Sequence, residues 1–139
     1  MNMDWKECCN KRIVKEVKID LDMINSLIGS SKDKIESEKL LEMSEITAAS
    51  KISLVYDSLR ELLEALALKY KYKIYNHECY VAFLKEIIKE SVRGDEFDDI
   101  RKIRNSINYY GKKVNIEEAK MVIIKIKLLR EFVSNMLKE

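Results

Sequence analysis

Proline is absent from the 139 residues of this chain, and only three glycines interrupt it. Both residues punctuate turns, so their scarcity leaves little material for the corners of a sandwich or barrel and favours helices joined by short loops. Apolar residues make up 47% and charged ones 36%, enough of the first to fill a core and too much for a disordered chain. One domain over residues 1–139 is the expectation, because a chain of this length buries a core without help from metal or disulfides. A bias toward Lys, Glu and Ile, with no glutamine at all, suits a heat-adapted protein.

Apolar spacing divides the chain into segments. Cys9, Ile13, Val17, Leu21, Ile24 and Ile28 recur every three or four residues, which predicts one early helix. Gly29-Ser30-Ser31 is expected to stop it and to cap a second, polar helix that runs to about Glu42. Ile52, Val55, Leu59, Leu62, Leu63, Leu66 and Tyr70 form the strongest stripe, predicting a central helix that starts near Ser44 or Glu45. Asn76 is placed to cap a helix carrying Tyr80, Phe83, Leu84, Ile87 and Ile88, with Arg93-Gly94 as the next break. In the last helix Asn115 caps, Glu118 sits three later, and Val114 is set to pack on Ala119. The fold class this predicts is all-α, an up-and-down antiparallel bundle of five to six helices.

Several function classes fall away on bulk properties. Net charge is only +2, so nucleic-acid binding would have to come from a local patch. No apolar run approaches the ~20 residues of a membrane span, and "MNMDWKECCNKR" lacks the apolar core of a signal peptide. Cys8 and Cys9 are adjacent and the cysteine count is odd, so reduced thiols in a cytoplasmic protein are expected. His77 with Cys79 is too little for a metal site. His77 is expected to pack or cap at its loop, and neither metal nor cofactor is expected.

The helix expected from about Asp95 to Tyr110 contains "RNSINYYG". Acid at its start and base past its end suit the helix dipole, and Gly111 stands where a left-handed cap belongs. At about 100° per residue, Ile100, Ile103, Ile107 and Tyr110 form the buried stripe, while Arg101, Arg104 and Asn108 share one flank. Tyr109 projects about 140° from Arg104, so the two converge on one ligand only in a long groove or across a dimer.

Two stretches, "LVYDSLRELLEALALKYKYKIYNHECYVAFLKEI" and "IRNSINYYG", resemble the HEPN superfamily of small helical bundles, in which a late helix carries Arg-Asn-x-x-x-His. The resemblance implies a homodimer that binds RNA or a nucleotide. Its active members are metal-independent ribonucleases, often toxins paired with an antitoxin, in which a ribose 2′-hydroxyl attacks the adjacent phosphate. Carried onto this chain, the catalytic positions are Arg104, Asn105 and Tyr109, with tyrosine where the family has histidine. A phenol of pKa about 10 accepts protons poorly at neutral pH, so weak or absent catalysis is expected, with a ribonuclease acting through Arg104 as the alternative. Arg101, Lys102, Asn108, Lys112 and Lys113 are the expected nucleic-acid contacts. Some relatives pair with a nucleotidyltransferase that modifies a tyrosine beside the motif, which makes Tyr109 the candidate acceptor and such an enzyme a candidate antitoxin partner. Ile124 and Leu128 are expected at the dimer interface.

Overall fold

The structure, a computed structural model, describes residues 2–110 and 113–138, with Tyr109 and Tyr110 placed by backbone alone. Six helices and one short two-stranded sheet follow in order: α1 (Trp5–Asn10), β1 (Val14–Glu16), α2 (Leu21–Leu40), α3 (Ala48–Lys69), β2 (Tyr72–Ile74), α4 (Glu78–Ala82), α5 (Ser91–Tyr110) and α6 (Ile116–Lys138). A π-helical turn, Phe83–Ile87, extends α4. The fold is an all-α helical bundle, as the sparse turn residues imply.

Helix α3 is the axis, packed between α2 and α6. Its predicted stripe from Ile52 to Leu66 is buried, and so are Tyr56 and Ala67 on other faces. Tyr70, assigned to that stripe, instead lies past the helix end and is 41% exposed. The start is set a few residues from the expected place: the Ser44 amide donates to Thr47 Oγ1 at 2.9 Å and the Thr47 amide to Ser44 Oγ at 3.2 Å. Helix α6 opens as predicted, with the Glu118 amide donating to Asn115 Oδ1 at 2.8 Å and Asn115 Nδ2 to Glu118 Oε1 at 3.1 Å. Asn76 Oδ1 likewise accepts from the Cys79 amide at 2.9 Å.

The early chain is different from its periodicity. No single helix carries Cys9 through Ile28: α1 ends at Asn10, Arg12 turns the chain at φ 59°, and β1 pairs antiparallel with β2 in the register Val14↔Ile74. Cys8, Val14 and Ile24 are the buried residues there, while Cys9, Leu21 and Ile28 are exposed. Helix α2 is then capped by Asp20, whose carboxylate accepts from the Met23 amide at 3.0 Å, and it continues through Gly29-Ser30-Ser31. What holds it together there is tertiary. The buried Ser31 hydroxyl donates to the Ser58 carbonyl at 2.7 Å, Ser58 Oγ donates to the Ser31 carbonyl at 2.7 Å, and Arg130 Nε donates to Ser58 Oγ at 2.7 Å. A glycine that reads as a stop is overridden when its neighbour locks two helices side by side.

Gly94 is not a break either. Lys89 (φ 64°) makes the turn, and Gly94 sits inside α5, where an added Cβ would lie 2.5 Å from Lys85 Cγ and 3.3 Å from the Val81 carbonyl oxygen. The expectation of reduced thiols also fails in part: Cys8 and Cys79, both fully buried, form a disulfide spanning 71 residues, and Cys9 alone is free and exposed. Adjacency disfavours only a Cys8–Cys9 bond. Packing of α1 on α4 brings the distant pair together.

Candidate nucleotide-binding site on the fifth helix

Phe97 and Ile100 anchor α5 in the core, and Ile103 and Ile107 continue the same face half-buried. This fixes the rotation of the helix and presents Arg101, Arg104 and Asn108 along one flank, as their spacing predicts. Their chemical states differ. Arg101 Nη2 donates to Asp98 Oδ1 at 2.7 Å and to Asn2 Oδ1 at 3.3 Å, and Lys102 Nζ lies 3.1 Å from Asp98 Oδ2. Burial acts to raise the Asp98 pKa, but hydrogen bonds from Arg101, Lys102 and Asn2 outweigh it and hold the carboxyl below its usual range. One carboxylate therefore offsets part of the charge of two expected contact residues.

Arg104 is free of such a tie. Among the described residues no carboxylate lies within ion-pair distance of it. Its guanidinium carbon stands 5.1 Å from the centre of the Tyr56 ring, a cation–π contact. Asn108, with its amide oxygen turned toward the guanidinium, accepts from Arg104 Nε at 2.9 Å and Nη2 at 3.2 Å. A half-buried cation held by a ring and a neutral amide keeps its full charge for a ligand. Asn105, the next motif residue, is half-buried on the same helix.

Sequence reasoning missed the other side of this cluster. The Tyr56 hydroxyl of α3 and His77 Nδ1 share a hydrogen bond of 2.8 Å, with the two ring centres 5.6 Å apart. Burial pushes the His77 pKa down to about 4, with Arg60, Arg104 and Arg101 adding to the fall and Asp57 opposing it. Burial also pushes the Tyr56 pKa up, so the phenol stays protonated. His77 is thus more than a loop cap: it shares a tyrosine with Arg104, although the two stand on separate elements far apart in sequence. The only early signal was that the same stretch containing Tyr56 and His77 also carries the HEPN resemblance.

Of the remaining expected contacts, only Lys113 lies among the described residues, and it faces elsewhere. Lys113 is exposed and lines a cleft of about 670 Å³ with Glu45, Ile46, Ile107 and Glu118, a set that does not include Arg104. The side chains of Tyr109 and Tyr110, and all of Gly111 and Lys112, lie outside the described residues. No three His, Cys, Asp or Glu side chains among the described residues group to hold a metal ion, and no described helix is long and apolar enough to cross a membrane. Compared with models of protein families, with curated proteins and with solved structures, the chain matches none.

Proposed function

We propose that this chain is a HEPN-like homodimer that binds RNA or a nucleotide at the Arg104 flank of α5, with weak or no catalysis of its own. The observation that carries the reading is Arg104: a half-buried guanidinium with no acid beside it among the described residues, resting on Tyr56. Buried charges are normally paired, and an RNA phosphate is a suitable missing partner. Asn105 and Asn108 supply neutral donors for sugar or base, and Arg101 and Lys102 contribute attenuated charge because Asp98 holds both. Weak catalysis follows from Tyr109 standing where the family has its histidine.

Dimerisation is supported by α6, where Met121, Ile124 and Leu128 are 73%, 59% and 59% exposed at helical spacing. A twofold contact over this stripe would hide apolar surface that water now faces. A toxin–antitoxin role with a nucleotidyltransferase partner and Tyr109 as acceptor belongs to the same proposal; mass spectrometry of Tyr109 after co-expression tests it. So does a cytoplasmic location, where the Cys8–Cys79 bond suits the heat-adapted composition, since intracellular proteins of hyperthermophiles retain disulfides.

A second reading is a metal-independent ribonuclease acting through Arg104, whose guanidinium has no ion-pair partner among the described residues. One experiment covers both. Single-stranded RNA is mixed with wild-type and Arg104→Ala protein in chelator, and both anisotropy and cleavage are followed. Binding that falls about tenfold or more in the variant, with little cleavage by either protein, is the expected result. Rapid metal-free cleavage lost in Arg104→Ala would select the ribonuclease, and equal binding by both proteins would end the proposal.

A further inference from the structure

We propose that His77, Tyr56 and Arg104 form one anion subsite, in which His77 donates a hydrogen bond from Nε2 to a phosphate oxygen as a neutral imidazole and does not move protons. The inference rests on the Arg104 reading for its ligand class, a phosphate group of RNA or a nucleotide, but it assigns His77 a role that the sequence motif does not contain.

The hydrogen-bond inventory points to one tautomer. Tyr56 stays protonated, and its hydroxyl has one acceptor among the described residues, His77 Nδ1 at 2.8 Å. A neutral imidazole that accepts at Nδ1 carries its single proton on Nε2. Nε2 has no partner among the described residues, yet no buried side-chain nitrogen there is left without one. Nε2 is therefore not fully enclosed, and the proposed ligand meets it there.

Burial first, and charge after it, make the ring a donor and not a base. Arg60 and Asp57 on α3 and Arg101 and Arg104 on α5 are the charged groups that act on it, and the three cations outnumber the one acid. That field resists a second proton. The same field attracts an anion, and Arg104 on the shared tyrosine supplies the charge while His77 supplies direction. A ring already protonated on Nε2 cannot take a proton from a 2′-hydroxyl there, which agrees with weak catalysis. Once a phosphate offsets the arginines, the pKa of His77 should climb back toward its ordinary value.

The chain has one histidine, so its imidazole nitrogens can be followed by ¹⁵N NMR without assignment ambiguity. The wild-type protein is titrated with inorganic phosphate and then with a short single-stranded RNA. The expected result is an Nε2–H tautomer in the free protein near neutral pH, a shift of Nε2 on adding either probe, and an upward move of the His77 titration midpoint. His77→Ala should weaken RNA binding roughly tenfold, His77→Gln should restore part of it, and Tyr56→Phe should scramble the tautomer. An Nδ1–H tautomer, or His77 signals that stay fixed while RNA binds in an Arg104-dependent way, would overturn the subsite and leave the function above intact. A His77 response to phosphate with no RNA binding would support the subsite while removing RNA as its ligand.

Discussion

Breaking the Cys8–Cys79 disulfide should cost this protein a large part of its stability. The bond closes a loop of 71 residues, and loop-closure entropy for that length corresponds to about 4 kcal/mol at room temperature. Both sulfurs are fully buried, so serine replacements would add the cost of burying hydroxyls; reduction of the native chain, or paired alanines, isolates the cross-link better. For a chain of this size each 1 kcal/mol shifts the melting point by about 3–4 °C, so a fall of about 14 °C is expected. The assay is thermal and urea unfolding of the oxidised protein, the reduced protein and Cys9→Ser, the last as a control because Cys9 is free and exposed. Reduction should act on wild type and Cys9→Ser alike. A change below about 1 kcal/mol, far under the loop estimate, would refute the reasoning. It would mean that packing of α1 on α4 already holds the ends together in the unfolded ensemble. Because Cys79 lies two residues beyond His77, reduction should also loosen the tyrosine–histidine pair, which the NMR experiment reads directly.

Other outcomes follow from single positions. Gly29→Ala should stabilise by about 0.5–1 kcal/mol, since the residue is inside α2 and nothing lies within 4 Å of the new methyl. Gly94→Ala should lose that gain or reverse it because Lys85 would have to move; chemical denaturation of the two variants side by side decides. Ser31→Ala should cost about 1–3 kcal/mol by stranding its partner groups on Ser58 and Arg130, and denaturation no different from wild type would contradict the serine lock. The unfolded chain protonates its histidine near 6.5 and the folded one only near 4. The unfolded state therefore binds more protons between those values, and stability falls as pH drops through that window. Urea midpoints across that range should fall less in His77→Asn than in wild type.

How far the sequence revealed the fold depended on where each signal lay. Helix α6 and the start of α4 were legible because Asn115–Glu118 and Asn76–Cys79 are local contacts. Helix α3 was legible because its stripe is long. The first 30 residues were not: Cys9 to Ile28 happened to repeat at helical spacing, while the actual structure depends on pairing with β2, on Cys79 and on Ser58, all distant in sequence. Gly29 and Gly94 misled for one reason, which is that neighbours across the packing, not the glycine itself, decide whether a helix continues. The site divided in the same way. Arg104 and Asn108 were placed by helical geometry alone, since they lie four residues apart. Tyr56 and His77 come from other elements, and the Asp98 hold on Arg101 and Lys102 depends on rotamers that spacing does not report.

The salt dependence of RNA affinity tests the role of Arg104 most directly. A cation that meets a phosphate releases counterions, so wild-type affinity should fall steeply with salt, and Arg104→Ala should bind more weakly with a log–log slope shallower by about 0.7 for each phosphate no longer neutralised. Lys102→Ala, whose charge Asp98 already holds, should change the slope much less. Identical slopes for wild type and Arg104→Ala would contradict the claim that this guanidinium, with no ion-pair partner among the described residues, is where the nucleic acid is held.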